Sequence, residues 1–452
     1  MTVSRVLIAN RGEIAVRIIR ACQGLGIETV LAVSDADRDS LPARIADRAF
    51  CIGPAEPAGS YLDIKAVVAA ALGTGADAVH PGYGFLAESP ELAAACAAEG
   101  LTFVGPKAEQ ISQMGNKLEA RALARQHGLP ILPGSEKVHS PEEAAEIAER
   151  IGLPVLMKAA AGGGGRGMKV VTDPANISEV FTSAAAEARA AFGDETLYVE
   201  RFIPNARHIE VQVLGDCFGN VIHLGERDCS LQRRHQKLVE ESPAPAITEE
   251  LREEIRTAGV TLARNTGYEN AGTVEFIVDQ DAGTFYFLEM NTRIQVEHPV
   301  SEMITGIDLV QEQLRVAGGE ALRFSQSDVM FRGHAIECRI NAELPAESFR
   351  PSPGQILEWR PPEGPNIRLD THCHAGYTVP PYYDSLLAKL IVYGSDRAEA
   401  MERTRRALDR FSISGVGTTI GFLRSVMDNP DFVAGKPTTH LVEDLIEQMP
   451  DG

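Results

Sequence analysis

The 452-residue sequence has no Cys-x-x-Cys pair and no apolar run long enough to span a bilayer. It also has too few basic residues to balance its acidic ones. Each absence closes a class of protein. The seven cysteines, at 22, 51, 96, 217, 229, 338 and 373, are odd in number and scattered. They argue against a disulfide framework or a zinc cluster and fit thiols in a reducing compartment. A membrane helix needs ~20 apolar residues in a row, which excludes a helical span. The chain from Met1 to Asn10 carries no basic leader or long apolar region, so no targeting segment is expected and the cytoplasm is the expected location. With 43 Lys and Arg against 63 Asp and Glu, the formal charge is −20. That balance argues against nucleic acid or an anionic membrane as partner, and any phosphate ligand must be held by local cations.

What is present is an ordinary globular composition, 44% hydrophobic and 23% charged, in a chain long enough for two to four domains by the usual ~100–200 residues each. Residues 1–115 alternate short apolar runs with helical spacing. Val6 to Ala9, Thr29 to Val33, Asp77 to His80 and Thr102 to Gly105 read as strands. Ile14, Ile18, Cys22 and Leu25 mark one helix, while Tyr61 to Leu72 and Pro90 to Ala98 read as two more. This rhythm predicts a parallel sheet covered on both faces, with ligands beyond the carboxyl ends of its strands. His80-Pro81-Gly82-Tyr83-Gly84-Phe85 lies at such an end; on its residues alone it is a structural turn or a ligand loop.

Ala108 to His127 reads as one connecting helix, stopped by Gly128 and Pro130. A small unit follows: a helix at Pro141 to Ile151, strands at Pro154 to Lys158 and Met168 to Val171, a helix at Asn176 to Phe192 and a strand at Leu197 to Phe202. Between its first two strands runs Gly162-Gly163-Gly164-Gly165-Arg166-Gly167. The pattern G-x-G-x-x-G is formally met, but a dinucleotide loop opens a helix and this one enters a strand; no Gly-Lys-Ser/Thr marks a P-loop either. A glycine flap remains, flanked by Lys158 and Lys169 and suited to covering and releasing a triphosphate.

From Ile209 the pattern is mostly strand, with a polar turn expected at Glu226-Arg227-Asp228 and a basic run at Arg233-Arg234-His235-Gln236-Lys237. Such a run is a solvated face or an anion pocket. Gly272 to Val278 and Phe285 to Asn291 read as a hairpin. If its pairing is symmetric about residue 282, Glu275 stands opposite Glu289 and Asn291 points to the same face. Two opposed carboxylates need a cation, and with an amide oxygen they form a hard-oxygen set suited to Mg²⁺. The strand then ends in Thr292-Arg293-Ile294-Gln295-Val296-Glu297-His298, poor core material and good site material.

These blocks, together with Ile8 to Ala15, Arg339-Ile340-Asn341-Ala342-Glu343 and Gly376 to Ser385, resemble biotin carboxylase, an ATP-grasp enzyme, in the family's order over nearly the whole chain. The resemblance implies an α/β and α+β fold in three parts: a Rossmann-like domain (1–115), a linker helix and mobile glycine-flap lid (116–203), and a C-terminal mixed domain completing the ATP-grasp cleft (204–452). It implies phosphate contacts from Lys117, Lys158 and the flap glycines Gly163, Gly164 and Gly165. The adenine pocket falls to Met168, Glu200 and Ile203, and further nucleotide contacts to His208, Gln232 and His235.

By the same resemblance Glu275, Glu289 and Asn291 hold Mg²⁺ or Mn²⁺, and Lys237, Arg293, Gln295 and Val296 bind bicarbonate. Glu297 is then the base, Arg339 stabilises the biotin enolate, and Tyr83 and Asp384 wall the biotin site. The implied reaction is ATP-dependent carboxylation of biotin on a carrier protein through carboxyphosphate, as in acetyl-CoA carboxylase and fatty acid synthesis. The implied partners are the biotin carboxyl carrier protein, a carboxyltransferase and, in a homodimer, a second copy of the chain. A related carboxylase acting on a urea-like compound or 2-oxo acid is the alternative, and a non-catalytic nucleotide-binding protein is disfavoured by the presence of Lys237, Glu297 and Arg339. Asn116 stands where the family often has Asp, and Arg201-Phe202 where it often has Lys-Tyr. No Met-Lys-Met biotin-attachment motif is present, so a separate subunit or a piece of a longer carboxylase is expected.

Overall fold

The computed structural model describes residues 3–160 and 168–447. The flap glycines Gly163, Gly164 and Gly165 lie outside the described residues. Strands β1 (Arg5–Ile8), β2 (Glu28–Ser34), β3 (Arg48–Gly53), β4 (Ala78–His80) and β5 (Thr102–Phe103) form a sheet in the order β3-β2-β1-β4-β5. All four pairings are parallel. Side chains of a strand alternate between faces, and β1 sends Val6 and Ile8 into one core and Leu7 into another, where Ala9 just beyond it also packs. The first of these cores is closed by α1 (Gly12–Leu25), which ends where Gly26 takes the left-handed conformation at φ 70°. Strand β3 carries no sequence signal because its first three residues are exposed and show no alternation.

The predicted helix over 108–127 is two helices, Ala108–Gly115 and Lys117–Gln126. Asn116 breaks it at φ −84°, ψ 108°, and its side chain accepts the N–H groups of Leu118 and Glu119. An Asn caps a helix as an Asp does, so the departure at this position keeps the break and sets Lys117 on the first turn. Beyond it β6 (Val155–Ala159), β7 (Met168–Val171) and β8 (Leu197–Arg201) form a small antiparallel sheet in the order β7-β6-β8. The helices Pro141–Ile151 and Ile177–Phe192 pack against it.

The largest sheet has eight strands. It contains β9 (Ala206–Gly215), β10 (Val221–Arg233), β11 (Gln236–Ser242), β12 (Asn270–Asp279), β13 (Thr284–Asn291), β14 (His334–Asn341) and the strands Ile367–Thr371 and Leu386–Gly394. Their order is β13-β12-β9-β10-β11-β14, then Leu386–Gly394 and Ile367–Thr371. The polar turn expected at Glu226-Arg227-Asp228 is not a turn. Those residues are buried in the middle of β10, because each charge is met: Glu226 by Arg252 and Arg256, Arg227 by Glu210, and Asp228 by Arg207. The basic run instead makes the β10–β11 turn, with Arg234 and His235 both at positive φ, 47° and 66°.

Candidate active site

Strand pairing places four charged residues in one row across the large sheet. Glu289 on β13 is opposite Glu275 on β12, Glu275 is opposite Glu210 on β9, and Glu210 is opposite Arg227 on β10. Three adjacent carboxylates on one face repel unless cations reach them. Lys237 supplies the central charge, with Nζ 2.5 Å from Glu210, 3.1 Å from Glu275 and 2.6 Å from Glu297. Arg227 Nε adds 2.6 Å to Glu210, and His208 Nε2 adds 3.0 Å to Glu275.

Lys237 reaches this face because β11 carries an irregularity. Gln232 pairs with Lys237, but Leu231 pairs with Val239, so Leu238 is an extra residue. A bulge of this kind re-aims a side chain. In a regular strand Lys237 would share the face of Val239, which packs in an apolar core. Burial alone would lower the lysine's pKa, but Glu210, Glu275 and Glu297 outweigh it and hold it well above the ordinary value. The ammonium stays charged.

The segment after β13 supplies the other half of the site. Glu297 precedes the helix His298–Thr305, and its carboxylate is 2% exposed between Lys237 and Arg339, whose Nη2 is 2.8 Å away. Burial pushes this carboxyl up, yet Lys237, Arg339 and Arg227 more than offset it and hold it below the usual range. It is an ionised base with two cations on it. Gln295 donates to Glu275 Oε1 at 2.8 Å and accepts from Arg227 at 3.1 Å. Arg293 is held by Glu88 at 2.9 Å and donates to Asn291 Oδ1 at 3.1 Å. The Val296 carbonyl accepts from Lys389 at 2.9 Å. Lys389 is fully buried and also lies 3.2 Å from Glu13, which accepts from the Tyr83 hydroxyl.

A cavity of about 360 Å³ is lined among others by Arg11, Tyr83, Arg293, Val296, Arg339 and Asp384. The ambiguity of the His80–Phe85 loop resolves here. Asn10 donates to the carbonyls of Pro81 and Tyr83, both at 2.7 Å, tying the loop to the end of β1 and aiming Tyr83 at the cavity. Parallel neighbours β1 and β4 bring the two blocks to the same end of the sheet.

A second cluster is cationic. His235 is kept below its ordinary pKa by burial and by the neighbouring charges of Lys158, His208, Lys117 and His440. Lys117 Nζ lies 3.3 Å from Glu289, while Lys158 and Arg121 pair with Glu200. The Glu200 carboxylate is thus committed to its cations. Met168 is opposite Lys158 in the β6–β7 ladder, Ile203 is buried beyond β8, and Gln232 is opposite Lys237.

The donor set fits a hard divalent cation. Glu275 and Glu289 are opposed, and Asn291 stands two residues on with its Oδ1, the atom that could ligate, accepting from Arg293 at 3.1 Å. Carboxylate and amide oxygens are ligands that Mg²⁺ or Mn²⁺ accepts. Three further residues outside the expected site set lie in this cluster: Glu210, Arg227, which falls within one of the resembling blocks but reads as part of a turn, and Glu240. For Glu210 the only signal is a charged residue at strand spacing among apolar ones, in Ile209-Glu210-Val211.

Opposed carboxylates on a large antiparallel sheet, facing cations carried in part by a small three-stranded one, define an ATP-dependent ligase of the ATP-grasp fold. Comparison with known proteins agrees. Residues 2–111 match the biotin carboxylase N-terminal domain, residues 116–325 the carbamoyl-phosphate synthase L chain ATP-binding domain, and residues 337–444 the biotin carboxylase C-terminal domain. The chain is 52% identical over 446 residues to biotin carboxylase of Nostoc sp., covering 98% of this chain and 100% of that one. It is 51% identical to one of the subunits of pyruvate carboxylase from Methanothermobacter thermautotrophicus, covering 98% and 90%.

Among solved structures, the β-γ-ATP complex of Campylobacter jejuni biotin carboxylase superposes with a TM-score of 0.95 at 48% identity, covering 98% of this chain and 99% of that one. The biotin carboxylase domain dimer of Hydrogenobacter thermophilus 2-oxoglutarate carboxylase, solved with MgADP and bicarbonate, gives 0.95 at 48% over the whole of both chains. The chain belongs to the biotin carboxylase family. That family uses ATP, Mg²⁺ and biotin.

Proposed function

We propose that this protein carboxylates biotin, carried on a separate protein segment, at the expense of ATP and bicarbonate. The observation that carries the reading is the ionised Glu297, clamped between Lys237 and Arg339, the second of which lines the cavity with Tyr83 and Asp384. Bicarbonate is a poor nucleophile, and Glu297 takes its proton as its oxygen attacks the γ-phosphorus. The bond to ADP breaks with its electron pair, giving ADP and carboxyphosphate. Lys117, Lys158 and the flap residues hold the phosphates, and Lys237, Arg293, Gln295 and the Val296 backbone hold bicarbonate and carboxyphosphate.

Met168, Glu200 and Ile203 enclose the adenine, with His208, Gln232 and His235 as further nucleotide contacts. Glu275, Glu289 and Asn291 hold Mg²⁺ or Mn²⁺, which supplies charge neutralisation on the transferring phosphoryl group when bound. Carboxyphosphate releases CO₂ and phosphate, the phosphate takes the N1′ proton of biotin, and the nitrogen attacks CO₂. Arg339 stabilises the oxyanion of the ureido group in that step.

The three working parts are residues 1–115, 116–203 and 204–452, each with a sheet of its own. The likeness to a dimeric biotin carboxylase domain supports a homodimer. No helix among the described residues is long and apolar enough to cross a membrane. A biotin carrier protein and a carboxyltransferase are the expected partners, with acetyl-CoA or another acyl-CoA as the final acceptor, as in fatty acid synthesis. The likeness to part of a pyruvate carboxylase and to a 2-oxoglutarate carboxylase domain favours a 2-oxo acid as the second reading. Bicarbonate-dependent ATP hydrolysis with and without free biotin tests the core proposal: biotin stimulates it if the reading holds, and stimulation by another acceptor instead refutes it. Pull-down of the carboxyltransferase then separates the two final acceptors.

A further inference from the structure

Behind Arg339 two glutamates face each other with too few partners. Glu240 on β11 and Glu337 on β14 are directly opposite in the ladder, so their side chains leave the same face with Cβ atoms ~4.5–5.5 Å apart. Both are fully buried. Arg339 Nε lies 2.6 Å from Glu240 Oε1. Glu240 Oε2 and both carboxyl oxygens of Glu337 are buried without a hydrogen-bond partner among the described residues. The charges facing the pair are Arg339 on β14, Lys389 on the strand Leu386–Gly394, Lys237 on β11 and Glu297 from the turn after β13. Lys389 is spent on Val296 and Glu13, and Lys237 on Glu210, Glu275 and Glu297. One guanidinium, itself shared with Glu297, is left for the two acids.

Two carboxylates in a dry site cannot both stay ionised against a single cation, and a shared proton supplies the missing partner. We infer that Glu240 and Glu337 share one proton and together act as positioning residues for Arg339, setting the charge it presents to the acceptor cavity. The inference rests on the reading of Arg339 as the group that stabilises the acceptor oxyanion. With the proton in place, Glu337 donates its O–H to Glu240 Oε2 and the pair carries one negative charge. Its loss would set two negative charges against Arg339 and weaken the field in the cavity. Burial, opposed by Arg339, pushes Glu240 up to about 7, and burial opposed by Lys389 raises Glu337 well above the usual range. Loss of the proton therefore belongs to the alkaline side of neutrality.

Infrared difference spectroscopy on glutamate-labelled protein near pH 7 tests the proton directly. A protonated-carboxyl band is expected in the wild type and absent from Glu337→Gln; equal bands in the two overturn the inference. Should Glu337→Gln not fold, Glu337→Leu removes the buried polar group altogether and is compared in the same way. In turnover, the alkaline fall of kcat moves to higher pH in Glu337→Gln, and a limb identical to wild type refutes the shared proton's role. Glu240→Gln lowers kcat about a hundredfold with KM for ATP changed less than about threefold, and an unchanged kcat refutes positioning. The infrared band is independent of which acceptor is carboxylated, so failure of the biotin reading and failure of this one are separable.

Discussion

Glu275 stands directly opposite Glu289 across the β12–β13 ladder, and the strand slips register by one residue immediately after it. The pairing joins two clusters of side chains. Glu289 reaches Lys117 on the linker helix, the side proposed for the nucleotide, while Glu275 reaches Lys237 and Gln295, the side proposed for bicarbonate.

Metal dependence should follow from that pair. Glu289→Gln removes one hard anionic ligand while Lys117 remains, so the Mg²⁺ concentration for half-maximal ATP cleavage should rise about tenfold or more. A magnesium titration of steady-state turnover checks this, and an unchanged midpoint removes Glu289 from the ligand set.

Glu297→Gln keeps the shape of the base and deletes its charge. MgATP binding, read by calorimetry, should stay within a few-fold, whereas kcat should fall about 10²- to 10⁴-fold. Turnover near wild type would assign proton removal elsewhere.

Lys237 holds three carboxylates apart from one another. Lys237→Met should destabilise the fold by about 3 kcal/mol or more, since it strands buried charge. Urea denaturation measures the loss. Adding Glu210→Gln to the same protein should restore part of it, because one of the stranded charges is then gone.

Acidification should weaken the fold before carboxylates in the ordinary range titrate. His80 and His372 are buried, and burial, aided by Arg17 for His80 and Arg11 for His372, lowers each to about 3. Their unfolded counterparts take a proton near pH 6.5. The unfolded chain therefore binds more protons between these limits, so stability is full above about 6.5 and drains as the pH falls toward about 3. At about pH 5 each histidine should cost about 2 kcal/mol relative to pH 8. Thermal melts across that range check the slope, which His80→Asn or His372→Asn should reduce.

Local pattern makes much of the fold legible. The β1 to α1 stretch, the helix Pro90–Ala98 and the strand Met168–Val171 follow directly from period and punctuation. Glu275 meets Glu289 as expected, but not by the simple symmetry about residue 282. From Phe276 to Asp279 the ladder is set one residue differently, and only the bulge between Glu275 and Phe276 brings Glu275 opposite Glu289 rather than Leu288. Long-range compensation is not legible. Glu226, Arg227 and Asp228 look like a turn because three charges in a row seldom lie in a core, and their partners at 207, 210, 252 and 256 are remote in sequence. The bulge that aims Lys237 is likewise a property of two strands together. Glu240 gives no sign of its importance until β14 lies beside it.

Lys389 has a consequence for how the protein is assembled. Its ammonium is fully buried, its anionic partner Glu13 lies on α1 near the beginning of the chain, and its carbonyl partner is at Val296. A second acid, Asp370, lies 3.9 Å from the same ammonium. One buried cation thus ties a helix near residue 13, the turn at residue 296 and the strand at residue 370 to a single point, and removing its charge would leave buried acids from two separate stretches of the chain without their counter-charge.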